Sequence, residues 1–78
     1  MPRFHFHIRR EAAGTLDRDE VGMVLPDIEA AQTEALESAK ELIIERIRAD
    51  RRIDSFFEVT DSEGNVVFLM PFWQALRF

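Results

Sequence analysis

Residues 3 to 10 read RFHFHIRR, a strict alternation of polar and apolar positions. That period of two predicts a strand with one buried face: Phe4, Phe6 and Ile8 turn toward a core, and Arg3, His5, His7 and Arg9 turn away. Gly14 then supplies a turn position that tolerates positive φ. Thr15-Leu16 begins a return strand, the charged run Asp17-Arg18-Asp19-Glu20 interrupts it, and it resumes over residues 22 to 25.

At Pro26-Asp27 the period changes. Asp27 can cap the free amides of a following helical turn, and Glu29 places negative charge near its positive end. A helix is predicted over residues 28 to 49. At 3.6 residues per turn, Ile28, Ala31, Ala35, Leu36, Ala39, Leu42, Ile43 and Ile47 form its apolar face, opposite Glu34, Glu37, Glu41, Glu45 and Arg48. The alanines leave room for close approach to a sheet. Arg46, Arg48, Arg51 and Arg52 suit the negative end of the helix. The glutamate ridge reads as a solvated face, since like charges at i,i+4 destabilise an isolated helix by only about 0.2–0.5 kcal/mol per pair.

Residues 55 to 60 and 65 to 70 are rich in Phe and Val, and Asp61-Ser62-Glu63-Gly64 between them reads as a type I turn with glycine in the left-handed position. A hairpin of this form places Val59 beside Val67 and Phe57 beside Leu69 on the core side. Phe56, Glu58, Thr60, Val66, Phe68 and Met70 then occupy the other face. Pro71 ends the strand, and residues 72 to 76 can form one helical turn that covers a sheet edge or reaches a neighbour. The expected architecture is α+β in ββαββ order: a four-stranded antiparallel sheet, one long helix on one face and a short C-terminal helical turn, in one domain spanning residues 1–78. The uncovered face would carry Arg3, His5, His7 and Arg9 with Phe56, Glu58, Phe68 and Met70, and Trp73 beside them. A mixed aromatic and basic surface of that kind marks an association site.

Composition sharpens this picture. A chain of 78 residues buries only about 60% or slightly more of the surface its unfolded form exposes, and association of identical chains is a common remedy, so a homodimer is expected. The net charge of -5 opposes nonspecific coating of nucleic acid, although Arg3, Arg9 and Arg10 with the two histidines make one local basic cluster. There is no cysteine, which excludes disulfides and thiolate metal sites and fits a cytoplasmic protein. The longest apolar run, residues 66 to 72, is too short for a bilayer, so no membrane partner is expected.

His5 and His7 stand close enough to share a metal ion. Zinc takes three or four protein ligands, however, and only Glu58 or Asp61 could complete the set, so neither metal nor cofactor is expected. As acid-base catalysts the histidines lack a nucleophile: Ser38, Ser55 and Ser62 sit in ordinary helix, strand and turn contexts, and the three glycines are isolated rather than grouped in a phosphate-binding loop. The chain therefore reads as a noncatalytic protein-interaction module. The alternative is a regulatory module that uses the basic first strand on nucleic acid, but a ribbon-helix-helix protein needs two helices after its strand and this chain predicts one. Trp73 and Phe78 read as packing residues, with Trp73 equally suited to anchor an interface.

Three segments, MPRFHFHIRR, DRDEVGMVLPDIEAAQTEAL and FFEVTDSEGNVVFLMPFWQAL, together resemble a family of small bacterial domains of unknown function. The shared features are Met1-Pro2-Arg3-Phe4, Phe6-His7, an Asp-x-x-Gly segment ending at Gly22, Leu25-Pro26-Asp27, Ala31, Ala35, Val59, Asp61, Gly64 and Pro71-Phe72. His7 matches that pattern, whereas His5 is particular to this sequence. The resemblance spans nearly the whole chain and implies a compact domain with no catalytic residues to carry over. The middle segment is also similar to antitoxin domains of the HicB type, in which a glycine-containing strand, a proline and an alanine-rich helix follow in the same order. That similarity implies an antitoxin-like role as the alternative.

Overall fold

The computed structural model describes residues 1–11, 13–49 and 53–77, with Arg77 described by its backbone alone. Arg51, Arg52 and Phe78 lie outside the described residues. The elements are β1 (Arg3–Arg10), β2 (Thr15–Asp17), β3 (Met23–Val24), α1 (Ile28–Arg48), β4 (Ser55–Thr60), β5 (Val66–Pro71) and a C-terminal 3-10 helix (Phe72–Arg77). The α+β class, the long helix and the C-terminal turn agree with the sequence. The strand count does not: the sheet has five strands.

The extra strand arises because the return segment pairs with β1 in two pieces. β2 places Ile8 opposite Asp17 and β3 places Phe4 opposite Met23. Three residues of β1 (His5, Phe6, His7) therefore face five of the return segment (Arg18 to Gly22). The surplus is two residues, an even number, so the pleat keeps its phase and β2 and β3 stay in register with the same faces of β1. On its other side β1 pairs antiparallel with β4, and β4 with β5, giving the order β2-β1-β4-β5.

The predicted register of the final hairpin is overturned. A bulge lies between Val59 and Thr60, beyond which Val59 faces Phe68 and Phe57 faces Met70. The partners expected from simple alternation, Val67 and Leu69, are each displaced by one position. Met70 is buried in the core and Phe68 packs against it, while Leu69 is exposed. Of the residues assigned to the open face, Phe68 and Met70 thus belong to the helix side. The physical reason is the size of the inward pair: the bulge buries Met70 and packs Phe68 against the core where an unbulged strand would place Val and Leu, and Val67 stays partly buried beside them.

α1 starts where Asp27 caps it, the side chain accepting from the Ala30 amide at 2.8 Å. It ends one residue before the predicted limit, with the Ala49 amide bonded to the Glu45 carbonyl. Ala31, Ala35, Ala39 and Ile43 are its buried line, flanked by Leu36 and Leu42. Ile28 and Ile47, expected on that face, are exposed. A helix of 21 residues is about 31 Å long, whereas six-residue strands such as β4 and β5 span about 20 Å. The helix is longer than these strands, in keeping with the exposure of Ile28 and Ile47 near its ends.

The alanine stripe serves the 3-10 helix as much as the sheet, since α1 approaches that segment more closely than it approaches the strands. Phe72 there is wholly buried, its ring 4.8 Å from that of Phe57. The Arg46 guanidinium lies 5.3 Å above the Phe72 ring and donates to the buried Ser55 hydroxyl at 2.8 Å. One side of the sheet is thereby closed by α1 and the 3-10 helix, and the other side is left without a covering layer of secondary structure.

Candidate functional site

Cross-strand pairing orders the open face into rows. His7, Glu58 and Leu69 form one, Arg9, Phe56 and Pro71 the next, and His5 stands beside Thr60. The face is consequently divided. Its β1 half is polar, its β5 half apolar, and Glu58 on the boundary accepts an ion pair from Arg9 at 3.3 Å.

The polar half is organised by one residue of the loop between β2 and β3. The main chain of Asp19 bridges the edges of the two imidazoles: its N–H donates to Nδ1 of His7 at 3.0 Å, and its carbonyl accepts from Nδ1 of His5 at 2.9 Å. These bonds specify the ring protonation. His5 must carry hydrogen on Nδ1, whereas His7 must be bare there and protonated on Nε2, from which it donates to the Thr60 hydroxyl at 3.1 Å. The rings lie parallel, 6.0 Å apart. The imidazoles supply to the loop backbone the partners that a neighbouring strand would otherwise have provided.

The Asp19 carboxylate completes the arrangement. One oxygen accepts from the Phe6 amide at 3.0 Å, satisfying the β1 donor that the interrupted strand leaves open. The other accepts from the amides of Val21 and Gly22. Burial opposes the charge on this carboxyl, but the amides of Gly22, Phe6 and Val21 and the charge of His5 outweigh it and hold Asp19 below the usual carboxylate range. Gly22 closes the loop at φ +73, and a Cβ there would lie 2.8 Å from the Phe4 carbonyl oxygen. Arg3 ties down the adjacent peptide, donating to the Val21 carbonyl at 2.8 Å.

The structure thus brings His5 and His7 together, as their spacing implied, and engages Arg3 and Arg9 within the chain. Sequence reasoning missed Asp19, which reads as one acid in an irregular charged run. Its signal was the spacing Asp19-x-x-Gly22, which fits a side chain that accepts from amides two and three residues ahead before a left-handed glycine. Among the described residues, no group of three or more His, Cys, Asp or Glu is placed to hold a metal ion. A shallow polar hollow of about 310 Å³ lies over the histidines, bordered by Arg18, Glu20 and Asp61.

The apolar half holds a second hollow, of about 250 Å³, walled by Ile53, Phe56, Leu69, Pro71 and Trp73, with Glu11, Asp54 and Ser55 also lining it. Leu69 is 56% exposed and Trp73 48% exposed. No helix among the described residues is long and apolar enough to cross a membrane.

The chain belongs to a family described as a domain of unknown function (DUF6894), whose sequence profile matches residues 3–73. No curated protein and no solved structure is similar enough to count as a match.

Proposed function

We propose that this family member is a noncatalytic protein-interaction module that self-associates through the apolar half of its open sheet face, along β5. The observation that carries the reading is the cluster of Phe56, Leu69, Pro71 and Trp73, apolar side chains on the side of the sheet that no helix covers. The described fold is a slab of 38 × 27 × 17 Å, so the apolar half of one broad face offers a small contact, below the roughly 800 Å² per partner of a standard interface, which fits a dimer that dissociates on dilution. β5 has no charged residue. Two copies can bring this strand together about a two-fold axis, with the acidic residues at the edge of the patch, Glu11 and Asp54, kept to the rim of the contact.

The histidines support a structural over a catalytic reading. Both ring nitrogens of His7 and one of His5 are already committed to the loop and to Thr60. The alternative, an antitoxin-like or regulatory module binding nucleic acid through β1, would draw on Arg3 and Arg9. Each of these already donates within the chain, to Val21 and Glu58 respectively, which favours the protein partner. The lack of cysteine supports a setting in the bacterial cytoplasm.

Sedimentation velocity across a dilution series tests the reading. A dimer that dissociates on dilution, and that Leu69→Lys converts to a folded monomer, is the expected result. A wild-type chain that stays monomeric at about 500 μM, a concentration at which even contacts of millimolar Kd would be visibly populated, would refute self-association.

A further inference from the structure

We propose that His7 is a proton-operated latch on the loop of residues 18–22: the loop lies down on the neutral imidazole and lifts when His7 takes a second proton. The loop presents an N–H, that of Asp19, to Nδ1 of His7, while Nε2 of the same ring is turned to Thr60. An imidazolium has a hydrogen on both nitrogens. With His7 charged, two donors would face each other across 3.0 Å, and a bond at the centre of the loop becomes a repulsion.

Charged groups from each neighbouring element face the ring. Around His7 stand the Asp19 and Glu20 carboxylates from the loop, Glu58 opposite it on β4, and Asp61 from the β4–β5 turn. The cations are fewer: Arg18 in the loop and Arg9 on β1, the latter paired with Glu58. The other titrating group is His5, parallel to His7 on the same strand. Its Nδ1 already donates to the Asp19 carbonyl, so a second proton on His5 leaves that bond intact. Two histidines two positions apart therefore have opposite parts, and only His7 senses the proton through the loop.

Opening has a defined consequence. As the loop lifts, the Asp19 carboxylate leaves β1 with it, and the Phe6 amide that it holds loses its acceptor. A backbone donor in the middle of β1 is then exposed between β2 and β3, at an edge that the closed loop covers.

Amide exchange and ring NMR of the full chain between about pH 7.5 and about pH 5, the span in which imidazoles usually titrate, test the latch. The Asp19 and Phe6 amides should lose protection by about tenfold or more as long-range ¹H–¹⁵N spectra show His7 gaining its second proton. His7→Asn, whose side-chain carbonyl can accept the Asp19 amide but does not titrate, should abolish the pH response, whereas His5→Gln should keep it. Protection that holds steady while His7 protonates overturns the latch, as does a His7 ring that stays neutral throughout or an equal response in His7→Asn. If the Asn variant fails to fold, the wild-type spectra decide alone.

Discussion

The main chain of Asp19 bridges the rings of His5 and His7, accepting from one and donating to the other. One loop residue thus fixes two tautomers and, through its carboxylate, satisfies a strand amide. The alternating pattern of β1 put both histidines on one face, and the loop decided what they do there.

Asp19→Ala removes the acceptor for three amides, those of Phe6, Val21 and Gly22. Part-buried donors left without partners destabilise by about 1–3 kcal/mol. Urea unfolding should show a loss in that range, with the largest chemical-shift changes at residues 5–7 and 18–22 rather than in α1.

Because the carboxyl of Asp19 lies below its ordinary value in the folded chain, its ionised form contributes stability that is fully present above the unfolded value of about 3.9. That contribution is lost as pH falls through the lower folded value. Asp61 is lowered in the same sense, chiefly by the Asn65 amide, with desolvation opposing. Asp19→Asn should therefore flatten the acid limb of a stability-pH curve below about pH 4 without abolishing it. An acid limb identical to the wild type would contradict the assignment.

Gly22→Ala meets two obstacles, a left-handed φ and a Cβ 2.8 Å from the Phe4 carbonyl. Gly64 shares the first, at φ +85, but has open space around it. Left-handed backbone alone penalises an L-residue by about 1–2 kcal/mol. Thermal melts should rank Gly22→Ala below Gly64→Ala, and the reverse order would argue against the close approach of the loop to β1.

The bulge in the last hairpin has a single-residue test. Met70→Lys puts a charge into the core, whereas Leu69→Lys puts one on the open face. Circular dichroism at a dilution where the wild type is monomeric should show the first variant unfolded or strongly destabilised and the second within about 0.5 kcal/mol of wild type, as for surface substitutions. The register expected from simple alternation predicts the opposite outcome.

Arg46 joins the end of α1 to the start of β4 and to the 3-10 helix through Ser55, Asp54 and Phe72. Arg46→Met keeps the aliphatic stem but strips the buried Ser55 hydroxyl of its donor. Chemical denaturation should register a loss of about 1–3 kcal/mol.

The chain alone determined its local elements. The alternation of Phe4, Phe6 and Ile8 with His5 and His7 fixed the faces of β1, and Asp27 before an alanine-spaced apolar face fixed the start of α1. Asp61 through Gly64 fixed the hairpin turn. These signals are local, since propensity, capping and period act over a few residues.

Only the tertiary structure decided where strands slip or break. Whether β5 buries Phe68 and Met70 or Val67 and Leu69 depends on which pair fills the space under α1, a competition between distant residues that a bulge resolves. Whether residues 18–22 continue a strand or rise over the sheet depends on β1 offering imidazoles and the Phe6 amide to Asp19. Hydrogen-bond partners more than ten residues apart leave no mark on sequence period. The polar centre of the open face therefore came into view only with the fold.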